Sequence, residues 1–279
     1  MTQLTFFPLG NADTTLVELR DGRRMLFDYA NVDSQDDGDK RCDLPKLLRE
    51  DMNQADVSDY AVVAFTHLDK DHCGGASDFF WFEYAAKYQS DDRFKMDVLW
   101  VPAAAIVEDC LSDDAYVIRQ EARHRLKQGK GIKVFSRPER LRTWLKDNGL
   151  TVDQRRDCFV DAGQLVPEFS LEDDAVEFFV HSPHATRTDQ NEVIDRNGDS
   201  IMVQARFEEG GYHTDVLITG DMPYDSLNEI VDITRARNND DRLHWNVYHL
   251  PHHCSYKSIG PEKGADKTKP SAQVKWLCE

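Results

Sequence analysis

Apolar runs punctuated by turn residues divide the chain into strands and helices. Residues 4–9, 14–19 and 24–27 are short apolar and β-branched runs separated by Gly10-Asn11-Ala12-Asp13 and Asp21-Gly22, which predicts a β-meander. Asp28-Tyr29-Ala30-Asn31 closes its third strand. Leu44, Leu47 and Leu48 have helical spacing, with Pro45 suited to the first turn. Ala61-Val62-Val63-Ala64-Phe65 is an unbroken apolar run and predicts a strand buried on both faces. Beyond it, the aromatic-rich segment 76–88 predicts a helix packed on the sheet, 97–101 a strand, 103–128 a helix with basic residues near its end, and 132–135 another strand. Pro138 opens a further helix that stops near Asn148-Gly149, and its basic residues read as a solvated face. Segment 151–174 carries no clear pattern. Residues 175–180 resume a strand, 200–207 and 214–218 form a hairpin through Gly210-Gly211, Pro223 opens a helix, and 245–250 is a last strand. The acidic stretch 33–43 and the polar stretch ending at Gly198 read as loops, and the Gly-, Pro- and Lys-rich stretch 260–271 as a mobile tail. No period repeats.

Composition narrows the picture. The chain has 279 residues, 40% of them hydrophobic and 10% aromatic, enough for a sizeable core and too apolar for disorder. A formal charge of −17, from 51 acidic and 34 basic residues, disfavours indiscriminate binding to nucleic acid or anionic membrane. A phosphate substrate remains compatible with that charge, because divalent ions reverse the local potential of a cleft. No apolar run is long enough to span a membrane and no hydrophobic leader follows Met1, so a cytoplasmic address is expected. Six cysteines, at 42, 73, 110, 158, 254 and 278, form no CxxC pair and read as free thiols.

Candidate chemistry gathers where strands end. His67, Asp69, Asp71 and His72 follow the run 61–65 within six residues and are succeeded by Gly74-Gly75. Imidazole and carboxylate are donors that suit a divalent ion in hydrolysis. Asp221 follows Thr219-Gly220 at the end of a second strand, and His252-His253 follows Pro251 at the end of a third. Taken alone, any one of these residues is an ordinary turn or strand-end residue. Rigid strand ends are nevertheless natural places to hold a site.

In this order and with these spacings the motifs resemble the metallo-β-lactamase superfamily. More narrowly, His-x-Asp-x-Asp-His-x-Gly-Gly, Ile-Thr-Gly-Asp and Pro-His-His-x-Ser are similar to the metallo-β-lactamase domain of ComEC-type DNA-uptake proteins and their soluble relatives. Leu9-Gly10-Asn11-Ala12-Asp13-Thr14 and Asn197-Gly198-Asp199-Ser200-Ile201-Met202-Val203 are similar to that group's opening turn and to one of its later strands. The resemblance implies an α/β fold, the αββα sandwich, as a single domain over residues 1–279 with a helical insertion at about 103–150 and a mobile tail at about 257–279. Because that fold adds a further strand and helix beyond the segment 273–277, a shortened C-terminal part is expected.

The resemblance also implies two divalent ions, zinc first and manganese as the alternative. His67 and Asp69 would hold one, with His184 joining them and His181 as a second candidate. Asp71, His72 and His252 would hold the other, and Asp221 would bridge. Asp71 would also orient a hydroxide nucleophile, and His253 would act as a partner of the ligands or as a proton donor. Asp69 stands where the broader superfamily has a second His, which hardens that site towards manganese. Cys254 stands where the resembled motif has Gly. The expected activity is hydrolysis of phosphodiester bonds, in a small molecule or a nucleic acid. The alternatives are hydrolysis of a small ester, thioester or lactam, and a non-catalytic metal-stabilised sensor or adaptor domain in a larger assembly. A protein partner or homo-oligomer fits the chain and a membrane does not.

Overall fold

The N-terminal meander forms as β1 (Gln3–Phe6), β2 (Thr15–Glu18) and β3 (Arg24–Phe27), paired antiparallel in turn. From β3 the sheet turns parallel. It runs through β4 (Asp59–Ala64), β5 (Lys95–Pro102) and β6 (Ile132–Phe135), so that these six strands lie side by side in chain order. The structure, a computed structural model, describes residues 1–32, 38–190 and 193–279. The expected acidic loop 33–43 and the polar loop ending at Gly198 therefore lie partly outside the described residues. The chain divides into two compact units, Met1–Phe159 and Val160–Glu279, with the boundary inside the short strand β7 (Phe159–Val160).

In the first unit, all four residues of β3 and of β6 are buried, including Arg24 and Lys133, whose charged ends bond to the Asp51 carboxylate and the Asp157 carbonyl. The helix Leu44–Ala55 covers the sheet with Leu44, Leu48 and Met52, one residue per turn along a single face. The Asp43 carboxylate accepts the Lys46 N–H at its start, and Pro45 sits in the first turn, where no intrahelical donor is lost. The aromatic segment 76–88 departs from expectation. Only Ala76–Phe79 is α-helical and Ala86–Tyr88 is a single 3₁₀ turn. Phe79, Phe80 and Phe82 are all buried, and the backbone turns extended at Phe80, which ends the helix there. The expected helix 103–128 is likewise two helices, Ala103–Val107 and Asp113–Gln128. Cys110, in a left-handed conformation with φ of 59°, lies in the break.

The second unit holds a four-stranded sheet in the order β11-β10-β9-β8, from β8 (Val176–Ser182), β9 (Met202–Glu209), β10 (Tyr212–Ile218) and β11 (Val247–Tyr248). The hairpin β9-β10 turns through Gly210 and Gly211, whose φ values of 60° and 83° are those of a two-residue turn that suits strand twist. Expected strand 245–250 is ordered as strand only at Val247–Tyr248, parallel to β10. The helix Tyr224–Ala236 contributes Leu227, Ile230 and Val231 to a core shared with Met202 and Leu217. Within the expected tail, Ala272–Cys278 is a helix, and its Val274 and Leu277 join that core. Among the described residues no helix is long and apolar enough to cross a membrane.

His181, in β8, is wholly enclosed. Its Nε2 lies 2.8 Å from the Arg242 carbonyl oxygen and its Nδ1 lies 3.4 Å from the Thr234 hydroxyl. A neutral ring satisfies both, donating to the carbonyl and accepting from the hydroxyl. Burial lowers its pKa from 6.5 to about 4. Between those values the unfolded chain binds a proton that the folded one does not, so stability is complete above pH 6.5 and falls as pH drops towards 4. Urea unfolding at pH 7.5 and pH 5 should show a loss of about 2 kcal/mol attributable to this group. In His181→Gln, which cannot titrate, that part of the pH dependence should disappear.

Candidate functional site

In the parallel pair β3-β4, Phe27 stands opposite Ala64, so both strands run out at the same edge. Asp28 follows one and Phe65-Thr66-His67 the other. The Asp28 N–H donates to the Ala64 carbonyl at 2.7 Å, and Asp28 takes up a left-handed conformation with φ of 58°, which Asp tolerates better than most residues. This turns its carboxylate onto the loop. It accepts the Thr66 N–H at 2.6 Å, the Thr66 hydroxyl at 2.6 Å and the His72 Nδ1–H at 2.8 Å. Burial pushes the Asp28 carboxyl above the usual carboxylate range, while His72 and Thr66 pull it back.

That contact assigns the proton of His72 to Nδ1 and leaves the lone pair on Nε2, the arrangement by which a buried carboxylate orients a metal-binding imidazole. Thr66 Oγ1 also lies 3.2 Å from His67 Nδ1, so one carboxylate fixes one imidazole directly and the other through a hydroxyl. Both rings are buried, with centroids 4.0 Å apart. His67, Asp71 and His72 offer ligand atoms within 4.8 Å of one another, and Asp13 and His72 do so as well. Asp69 lies beside them, its Oδ2 3.7 Å from His67 Nε2, with a side chain 37% exposed.

Backbone bonds hold the loop from the other side. The N–H groups of Asp13, Tyr29 and Asn31 donate to the carbonyls of Asp71, His72 and Gly74 at 3.2, 3.0 and 2.8 Å. Gly75 has a φ of 82°, and a Cβ there would meet the Asn31 side chain at 2.9 Å. Nothing larger than glycine fits that turn.

In the second unit Asp221 stands just beyond the end of β10, after Thr219 and Gly220, and is buried. The Thr219 hydroxyl donates to the His249 carbonyl at 2.6 Å and the His252 N–H to the Gly220 carbonyl at 3.2 Å, which ties the two strand ends together. His253 Nε2 lies 3.4 Å from Asp221 Oδ2. His252 faces elsewhere, with its Nδ1 3.4 Å from Asn197 Nδ2. His252, His253 and Cys254 all have φ between 51° and 61°, so Cys at position 254 adopts the conformation that glycine takes without penalty.

The structure thus brings together His67, Asp71 and His72, with Asp69 adjacent, in the first unit, and Asp221 with His253 in the second. His184 is in neither group. It is partly buried near Arg187, Glu229 and Arg237, and burial lowers its pKa. His181 has both ring nitrogens engaged, as described above. Two residues carry weight that the motifs did not assign. Asp13 lies inside the Leu9–Thr14 motif, which assigns it no role, and Asp28 closes a predicted strand; a lone acid after a buried strand is its one visible signal.

No family model matches the chain, and no curated protein matches it. Among solved structures it is similar to a subclass B3 metallo-beta-lactamase of Bradyrhizobium japonicum, at 14% identity over 100% of this chain and 88% of that one, with a TM-score of 0.39. A metallo-beta-lactamase from Elizabethkingia meningoseptica matches at 9% identity over 97% and 86%, with a TM-score of 0.40. A diphosphatase from the PhnP family matches at 10% identity over 82% and 69%, with a TM-score of 0.29.

The donor set fits a divalent ion: two buried imidazoles, one with its tautomer fixed by a carboxylate, converge with a further carboxylate. Asp28→Asn keeps the size of the side chain and weakens its hold on His72 Nδ1. Zinc affinity, read by competition with a fluorescent chelator, should fall by roughly 10–100-fold, with the circular dichroism spectrum unchanged. Equal affinity in both proteins would remove Asp28 from the site.

Proposed function

We propose that this protein is a metal-dependent hydrolase of the metallo-β-lactamase type whose substrates are phosphodiesters. The observation that carries the metal reading is the buried contact between Asp28 and His72, at 2.8 Å, which presents Nε2 beside His67 and Asp71. An isolated buried carboxylate is costly to keep, and three donors directed at it are what make it useful here. The substrate class rests on the motif resemblance to ComEC-type domains.

His67, Asp71 and His72 are the residues of the first unit that would hold an ion, with Asp69 and Asp13 adjoining. In the second unit, the approach of His253 Nε2 to Asp221 supports His253 rather than His252 as the ligand. Bound there, divalent ions would lower the pKa of water towards 7 and offset charge on a phosphate. The imidazole and carboxylate donors admit zinc first and manganese second. The residues themselves orient and screen: Asp28 and Thr66 fix the imidazoles, and Asp71 places a carboxylate beside them.

Purified protein should turn over single-stranded DNA or a cyclic nucleotide with added zinc or manganese. His67→Ala and Asp221→Ala should each lower that rate by more than about 100-fold. Hydrolysis of a chromogenic ester alone would transfer the reading to a small ester, thioester or lactam. A chain that purifies without stoichiometric metal, yet bound to a partner, would favour the adaptor.

A further inference from the structure

The cations of the second unit are unevenly committed. Arg187, Arg206, Arg235 and Arg242 lie 2.9, 2.7, 3.2 and 2.6 Å from the carboxylates of Asp195, Asp215, Asp240 and Glu177. Lys275 lies 3.6 Å from Glu279. The remaining lysines, Lys257, Lys263, Lys267 and Lys269, are all exposed and have no ion-pair partner among the described residues. They fall within a single stretch, residues 256–271, which carries four lysines against Glu262 and Asp266 in a chain of net charge −17.

This stretch is a closed loop. The Ser271 N–H donates to the Ile259 carbonyl at 2.9 Å, joining its two ends, and the Ser271 hydroxyl donates to Asn228 Oδ1 at 2.6 Å. Gly260 and Gly264 pack against the carbonyls of Lys269 and Lys267, approaches that no side chain at either glycine would permit. Lys263, Lys267 and Lys269 line the hollow of about 750 Å³ that the loop encloses. Tyr256, 37% exposed, stands at the start of the loop three residues after His253, and Lys257 follows it.

Uncommitted positive charge on the same loop as an exposed aromatic ring is the chemistry that holds a single strand of nucleic acid, through phosphate contacts and base stacking. We infer that loop 256–271 is a binding surface for the phosphodiester backbone of a single-stranded nucleic acid, on either side of the bond that is cut. The inference deepens the phosphodiesterase reading, on which it rests, by naming a polymer as substrate. It also answers the charge problem, since a strand repelled by most of the surface meets attraction next to the His252-His253 segment.

The test is fluorescence anisotropy of the full-length protein with a labelled strand of about twelve nucleotides, made with phosphorothioate linkages that keep the charge and slow cleavage. Wild type should bind at low salt with an affinity that falls steeply as salt rises, each phosphate contact adding roughly −0.7 to the logarithmic slope. The triple variant K263Q/K267Q/K269Q should bind at least tenfold more weakly, with a slope shallower by about 2. K130Q/K146Q, which removes charge from the first unit, should match wild type. Absence of binding by wild type at low salt, or equal weakening in both variants, overturns the inference. A small diester such as bis(p-nitrophenyl) phosphate reports on the hydrolase reading separately. Its turnover should be the same in wild type and the triple variant, and absence of that turnover alongside loop-dependent strand binding would sink the hydrolase reading alone.

Discussion

The Asp28 carboxylate is the constraint around which the first unit is arranged. It sits at the end of β3 in a left-handed conformation, fully buried, with donors from Thr66 and His72 directed at it. Parallel pairing of β3 and β4 brings it to the same edge as the loop carrying His67 to His72. Remove the carboxylate, and His72 loses the group that fixes its tautomer while Thr66 loses the acceptor for both its backbone and its hydroxyl proton. A buried donor left unmatched costs about 1–3 kcal/mol, so the loop and the strand end stabilise one another only as a set.

The rest of that loop is held by backbone geometry. Hydrogen bonds from Asp13, Tyr29 and Asn31 to successive carbonyls set its path, and Gly75 supplies a turn no other residue fits. Its ligand side chains therefore project from a rigid support, which suits a site whose donors must converge within a few ångströms. In the second unit a comparable fixing comes at a conformational cost. Three consecutive residues, His252, His253 and Cys254, take left-handed backbone angles, and the outcome is that His253 rather than His252 faces Asp221. Residues are found in such conformations where the surrounding structure over-determines them, as the bonds from Gly220 and Thr219 do here.

Electrostatics follows the same division. Most arginines of the second unit are committed to carboxylates, as expected where charge is partly withdrawn from water. The lysine side chains of the loop 256–271 are not, and the backbone contacts that close the loop do not use them. Its charge is therefore free for a ligand.

The α/β class, the meander, the β9-β10 hairpin and the donor-rich loop after β4 are legible in the chain without its fold. Each is local: alternation, runs of β-branched residues, paired glycines and clustered donors are written within a few positions of one another. Tertiary structure decided what depends on distant partners. It turned the backbone extended at Phe80, so that the expected helix at 76–88 ends after Phe79, and it folded residues 272–278 onto a core assembled from β9 and the helix Tyr224–Ala236. It turned His253 towards Asp221 and His252 towards Asn197, although the two are neighbours in sequence. It engaged both nitrogens of His181 and left His184 outside the clusters of His67, Asp71 and His72 and of Asp221 and His253. Above all it gave Asp28 its role, since an acid at a strand end becomes an orienting group only when a neighbouring parallel strand delivers an imidazole 44 residues further along the chain.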